Sequence, residues 1–256
     1  MRWMMIVPLS ALRDNYIWAI CEGRRCVVVD PGEAAPVLSF LHEQGLTLTA
    51  ILLTHRHADH QGGVAELLAH SAVPVFGPHS AAMPLVTHAL SDQGEFRIEG
   101  FASPLRVLAV PGHTEEHIAY LWSDALFCGD TLFAAGCGRL LGGTAQQLFT
   151  SLQTLAALPA KTHVYCTHEY TLSNLAFAVA VEPGNLQIQT RRRSCEALRE
   201  QGRPTLPSSL GDELQTNPFL RCTETAVHQV AEKQAGHALH GPLEVFTVLR
   251  KWKDQF

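Results

Sequence analysis

Residues 54 to 60 read T-H-R-H-A-D-H directly after the apolar run Ala50-Ile51-Leu52-Leu53, and no other stretch constrains the chain so tightly. Three imidazoles and a carboxylate in such close succession are borderline-to-hard donors, the kind that bind zinc, iron or manganese. A loop this short cannot surround an ion, so the remaining donors have to arrive from elsewhere in the fold. With 14 His in 256 residues, a chance pair of His would be ordinary. An H-x-H-x-D-H cluster that closes a strand-like run is far rarer.

A chain of 256 residues fits one large α/β domain, or a smaller one of about 150 to 170 residues with an appendage. At 46% hydrophobic and 17% charged residues it has the composition of an ordinary soluble globular protein. A net charge of −5 argues against nucleic-acid binding by bulk charge. The local basic run Arg191-Arg192-Arg193 is expected on the solvated face of a helix. Seven Cys form no C-x-x-C pair and leave an odd thiol over, which points away from a disulfide framework and toward a reducing compartment. The opening Met1 to Val7 reads as a first strand with no signal-peptide cleavage pattern after it, and no apolar run is long enough to cross a bilayer. The expectation is a cytoplasmic protein that binds neither nucleic acid nor membrane.

Short β-type runs alternate with helical segments up to about residue 168, the pattern of layered α/β packing. Cys26 to Val29 stops at the turn Asp30-Pro31-Gly32, and a helical pattern covers Ala34 to Gln44; Val64 to His70 reads as helix and Val73 to Phe76 as strand. Leu105 to Val110 leads into Pro111-Gly112-His113, Ala125 to Gly129 into Asp130, and His163 to Thr167 into His168. With the first cluster, four strand-like runs deliver metal-capable side chains just past their carboxyl ends, the edge where α/β folds build their sites. After about 170 the texture turns helical: 172–181, 186–201, 209–214, 224–235 and 242–253, broken by Glu182-Pro183-Gly184, Gly202-Arg203-Pro204 and Gly236.

These residues together resemble the metallo-β-lactamase superfamily: T-H-R-H-A-D-H, P-G-H-T at 111–114, C-G-D-T at 128–131 and the late His168. Within it, D-N-Y at 14–16, F-C-G-D-T-L-F at 127–133, G-C-G-R at 136–139, H-E-Y-T at 168–171 and the terminal K-D-Q-F are similar to glyoxalase II, the hydroxyacylglutathione hydrolase family. The resemblance implies an α/β fold, an αββα sandwich over residues 1–168 that carries catalysis, with a helical glutathione-binding subdomain over 169–256. It implies two divalent ions, zinc first, with iron or manganese accepted by the same donors. His55, His57 and His113 would hold one ion and Asp59, His60 and His168 the other, with Asp130 shared. The implied reaction is hydrolysis of S-(R)-lactoylglutathione, the second step of methylglyoxal detoxification, by a metal-bridging hydroxide that Asp59 orients. Such ions bring the pKa of a bound water down to about 7, far below its free-solution value. A monomer acting on a small acyl-glutathione is expected.

The family's glutathione contacts fall on Arg139, Tyr170, Arg250 and Lys253; the last two lie three apart on one helical face, where they would clamp a carboxylate. Zinc β-lactamases typically place Cys where this chain has Asp130, which favours a bridged pair here. Two departures stand out: Leu141 lies where some relatives carry an aromatic residue, and Arg56 fills a slot often taken by another His. Cys128 reads as a buried apolar residue, and Asp30 either as a turn residue or as a group that orients a ligand His. His117 and the other His are expected to be packing or surface residues. The rival readings are a mononuclear iron persulfide dioxygenase on His55, His113 and Asp130, and a non-catalytic zinc module. Full retention of the second ligand set speaks against the first, and the open, Cys-free donor set against the second.

Overall fold

Gly23 and Arg24 sit between two strongly apolar runs, and Gly23 takes φ 65°, the left-handed conformation that a two-residue hairpin loop demands. In the computed structural model, which describes residues 4–91 and 94–256, this loop joins β2 (Asn15–Glu22) to β3 (Arg25–Val29). β1 (Met5–Ala11) pairs antiparallel with β2. Met1, Arg2 and Trp3 of the expected first strand lie outside the described residues. Along β2, Ile17, Ala19 and Cys21 alternate with Trp18 and Ile20, and both sets are buried, so this part of the sheet is covered on both faces.

The chain divides into two compact units, Met1–Ala109 with Glu116–Gly129, and Val110–Glu115 with Asp130–Phe256. In the first, α1 (Ala35–Gln44) and α3 (Val64–His70) are crossovers that bring β4 (Thr47–Leu52) and β5 (Val75–Pro78) parallel to β3, and a loop without helix adds β6 (His88–Leu90) parallel to β5. The short α2 (Ala58–Gln61) follows β4. Val37 and Leu41 of α1 and Val64 and Leu67 of α3 pack with Ile17, Val28 and Ile51 on one face of the sheet. Each such side chain contributes about 1.5 to 3 kcal/mol by leaving water.

The opposite face meets a second antiparallel set: β7 (Glu95–Phe96), β8 (Leu105–Ala109), β9 (Ile118–Trp122) and β10 (Ala125–Gly129). Tyr120 of β9 donates its hydroxyl to the carbonyl of Leu53 at 2.7 Å, and Phe96 stacks on Phe76 with centroids 4.9 Å apart. Cys128 is fully buried in β10, as its alternation implied.

The second unit holds the hairpin β11 (Leu132–Phe133) and β12 (Gly136–Cys137), then α4 (Ala145–Ala156), β13 (His163–Cys166), α5 (Thr171–Val181) and α6 (Leu186–Glu200). β14 (Ser208–Ser209), α7 (Leu210–Thr216), a 3₁₀ turn (Pro218–Leu220), α8 (Thr225–Ala235) and α9 (Pro242–Gln255) complete it. α5 to α9 are the helices legible in the sequence; α4 is an addition, started by a Thr144/Gln147 capping box. The basic run behaves as expected only in part. Arg192 and Arg193 are exposed, but Arg191 turns inward to Glu213 at 2.6 Å and to Thr216. Buried Glu213 also accepts from the Ala135 amide and Asn217, which ties the β11–β12 turn to α7.

Candidate metal centre

β4 is a central parallel strand, and its carboxyl end releases Leu53, Thr54 and the His loop into α2. The β3 end supplies Asp30, held at φ 51°, a left-handed conformation uncommon outside Gly. Its carboxylate accepts from the Thr54 amide at 2.8 Å and the Thr54 hydroxyl at 2.7 Å, and faces His60 Nδ1 at 3.0 Å. The single hydroxyl proton of Thr54 goes to Asp30, so the contact between Thr54 Oγ1 and His55 Nδ1 at 3.0 Å has His55 donating. Both His55 and His60 are therefore protonated at Nδ1 and present the Nε2 lone pair, the form a metal takes. Asp30 thus sets two imidazoles at once, which decides between the two roles open for it in the sequence.

His55 and His60 are fully buried. His55 Nε2 lies 3.0 Å from His57 Nδ1, and His60 Nε2 lies 3.6 Å from Asp59 Oδ2. Asn15 donates to the same Asp59 oxygen at 3.1 Å. Gly32 runs so close to this loop that a Cβ there would sit 2.0 Å from the Asp59 carbonyl oxygen. The segment before β9 grips the loop from another side. Glu116 pairs with the Arg56 guanidinium and accepts from the Arg56 amide at 3.1 Å, Ile118 donates its amide to Thr54 O, and His117 stacks on His55 at 4.6 Å. Asn15, Glu116 and the stacking role of His117 were not read from the sequence, because nothing local marks them.

In the second unit, His113 Nδ1 faces the Arg139 carbonyl at 2.8 Å, which leaves its Nε2 as the donor. His113 Nε2 is 3.5 Å from Asp130 Oδ2, and His168 Nε2 is 3.4 Å from Asp130 Oδ1. Each carboxylate oxygen therefore faces a different imidazole. Two donors on one tetrahedral ion with bonds of about 2.0 to 2.1 Å stand about 3.3 to 3.4 Å apart, beyond an ordinary hydrogen bond. The Asp130 spacings match that edge, so these residues fit a carboxylate with an ion on each oxygen. Gly138 is required beside them, since a Cβ there would meet Asp130 O at 2.0 Å.

His113 and Asp130 also line a cavity of about 470 Å³ within this unit, together with Arg139, Tyr170, Arg250, Lys253 and Leu141. Tyr170 stacks on His168 with centroids 4.7 Å apart and planes 4° apart. Arg139 is exposed and reaches Asp254 at 3.6 Å. Arg250 is 4% exposed; its guanidinium donates to the carbonyls of Cys137 and Gly138 at 2.7 and 3.2 Å and to Asp254 at 3.0 Å. Lys253 donates to Ser173 O at 3.3 Å and lies over the Phe177 ring. Burial, then the neighbouring Arg250 and Arg139, lower its pKa.

Residues 12–168 match the model of the metallo-β-lactamase superfamily, and residues 169–256 match that of the hydroxyacylglutathione hydrolase C-terminus. A hydroxyacylglutathione hydrolase from Alkalilimnicola ehrlichii is 53% identical over 98% of each chain, and one from Pseudomonas fluorescens is 50% identical over 99% of this chain and all of that one. The chain belongs to the hydroxyacylglutathione hydrolase family.

Among solved structures, TTHA1623 in a di-iron-bound form is 28% identical, with a TM-score of 0.61 over 84% of this chain and all of that one. ETHE1 from Myxococcus xanthus, at 24% identity, shares the fold with a TM-score of 0.64 over 98% of both chains. The fold of this family member is thus the metallo-β-lactamase α/β fold with a C-terminal helical region. Membership makes it a divalent-metal hydrolase, with His and Asp donors present in both units. Among the described residues, no helix is long and apolar enough to cross a membrane.

Proposed function

We propose that this chain hydrolyses S-(R)-lactoylglutathione and related 2-hydroxyacylglutathiones to glutathione and the hydroxy acid, the activity named by its relatives. The observation that carries this reading is the cavity of the second unit, whose wall combines two metal-capable side chains with cations and a phenol. Glutathione is an anionic tripeptide thiol, and such a wall complements its carboxylates and amides.

In this reading His55, His57 and His113 hold one divalent ion, Asp59, His60 and His168 a second, and Asp130 is common to both. The Nδ1 partners of His55, His60 and His113 support it, as do the donor spacings at Asp130. Zinc is the proposed metal. When bound, the ions supply an acidified water and polarise the thioester carbonyl.

Asp59, steadied by Asn15, accepts a hydrogen bond from the attacking water and aims its lone pair at the acyl carbon. As that C–O bond forms, the water gives up one proton to Asp59 and on to solvent, the C–S bond breaks, and glutathione leaves as thiolate. Lys253 meets the glycyl carboxylate. Arg250 adds its field from one turn earlier and braces the wall at Cys137 and Gly138, while Arg139 and Tyr170 hold the rest of the peptide. Residues 1–168 thus carry catalysis and 169–256, with Arg139 lent by the first part, hold the thiol moiety, in a cytoplasmic monomer that needs neither nucleic acid nor membrane. Leu141, 49% exposed, offers no hydroxyl, at a cost of about 0.5 to 1.5 kcal/mol in affinity relative to a phenol.

The test is loss of thioester absorbance with a panel of acyl-glutathiones, run beside oxygen uptake with glutathione persulfide. Hydrolysis is expected. Oxygen consumption without hydrolysis, or inert zinc-loaded protein, would overturn the proposal.

A further inference from the structure

Cys21 and Cys26 face each other across the β2–β3 hairpin, in register and both buried. Glu22 and Arg25 flank the two-residue loop, and in such hairpins the flanking pair exchanges hydrogen bonds while the next pair does not. Cys21 and Cys26 are that next pair, where opposed Cα atoms approach to about 4.5 Å and side chains come closest. Disulfides span Cα separations of about 4.4 to 6.8 Å. Both cysteines are free thiols, and they share the sheet face that carries Ile17, Ala19 and Val28.

We infer that Cys21 and Cys26 form a peroxide-sensitive dithiol, which closes to a cross-strand disulfide under oxidation and reopens under thiol reductants. The Cys26 thiol has the Val27 carbonyl as its acceptor at 3.7 Å, and the apposition of the two sulfurs lowers the Cys21 pKa and raises that of Cys26. Cys21 is thus the nucleophile and Cys26 the resolving thiol. The loop residues Gly23 and Arg24 and the adjoining Arg25 are exposed, so opening of the hairpin tip admits a small oxidant.

The Cys21 thiolate attacks one peroxide oxygen, the O–O bond breaks, and the departing hydroxide takes a proton to become water. Cys21 is then a sulfenic acid. The Cys26 sulfur attacks it, the S–O bond breaks, and the Cys26 proton leaves with that hydroxide as a second water. Two thiols lose two electrons and two protons; hydrogen peroxide gains both. The product ties β2 to β3, strands whose far ends carry Asn15 and Asp30, the partners of Asp59 and His60.

The experiment uses the full, zinc-loaded chain treated with hydrogen peroxide, alkylated under denaturation, and mapped by mass spectrometry without reduction. The expected result is a peptide pair joined through Cys21 and Cys26, lost on dithiothreitol treatment, together with slower amide exchange at the hairpin tip. In Cys26→Ser the sulfenic acid should persist at Cys21 and be captured by dimedone, whereas Cys21→Ser should leave Cys26 alkylatable. If both cysteines of the unmodified chain stay alkylatable at doses that oxidise other thiols, or if dimedone labels Cys26 first, the inference is overturned.

Discussion

Replacing Asp30 with Asn tests whether one carboxylate sets the donor form of two imidazoles. Asn tolerates the left-handed conformation at φ 51° as Asp does, so the substitution changes the hydrogen-bond pattern and not the backbone. The amide oxygen can still accept from the Thr54 amide, but an NH₂ replaces the oxygen that takes the Thr54 hydroxyl and faces His60 Nδ1. Thr54 then has to accept from Asn and turn its proton to His55 Nδ1, which pushes the His55 proton to Nε2. His60 is forced the same way. Hydrogen bonds to a charged group are worth about 1.5 to 3 kcal/mol each, and two of the three are lost. Re-formed bonds recover part of this. The expected outcome is metal affinity weaker by about 10- to 100-fold, the usual result of losing such a partner. Competition against a chelating dye measures it, and nitrogen NMR of the metal-free imidazoles reports the tautomers. An Asp30→Asn protein that binds metal within about threefold of the parent, or whose His60 keeps its proton on Nδ1, would refute the reasoning.

Arg56 and Glu116 should show a coupling of about 0.5 to 1 kcal/mol in a double-mutant cycle read by thermal unfolding, since the pair is partly exposed; the exchange Arg56→Glu with Glu116→Arg should recover much of the loss. Lys253→Met should raise KM for the acyl-glutathione with kcat nearly unchanged, whereas Arg250→Met should lower stability by about 3 to 5 kcal/mol, because it abandons the buried carbonyls of Cys137 and Gly138 and the more exposed Asp254. The lowered Lys253 pKa means that the cavity loses its ammonium below the ordinary 10.5. The unfolded chain binds the extra proton in that window, so stability rises with pH there while KM rises too. A KM that climbs equally in Lys253→Met would separate the effect from this residue. Gly138→Ala should abolish metal retention, measured by elemental analysis after gel filtration, since its Cβ would meet Asp130 O at 2.0 Å.

The alternation of short strands and helices was legible because the apolar runs are bounded by turn chemistry, and the donors stood out because they follow those runs at strand ends. α4 escaped notice although Thr144 and Gln147 form a capping box, since the Gly142-Gly143 pair before it reads as loop. What could not be read was pairing between distant residues of the fold. Asn15 reaches Asp59 across 44 positions, and Glu116 reaches Arg56 across 60. Arg191 misled for the same reason: three successive Arg describe a solvated face unless a buried acid such as Glu213 waits opposite one of them. Arg250 and Lys253, three residues apart, looked alike as letters, yet one is buried with its donors on backbone carbonyls and the other is half-exposed.

All the residues that wall the 470 Å³ cavity come from the second unit, and none is drawn from the T-H-R-H-A-D-H loop. Changes at Leu141, Arg139 or the last helix can therefore retune which thiol carrier is accepted without disturbing the six-residue stretch that houses four of the proposed ligands. His113 and Asp130 stand in that same wall, so a change of clientele has to leave these two donors untouched while the remaining wall residues vary around them.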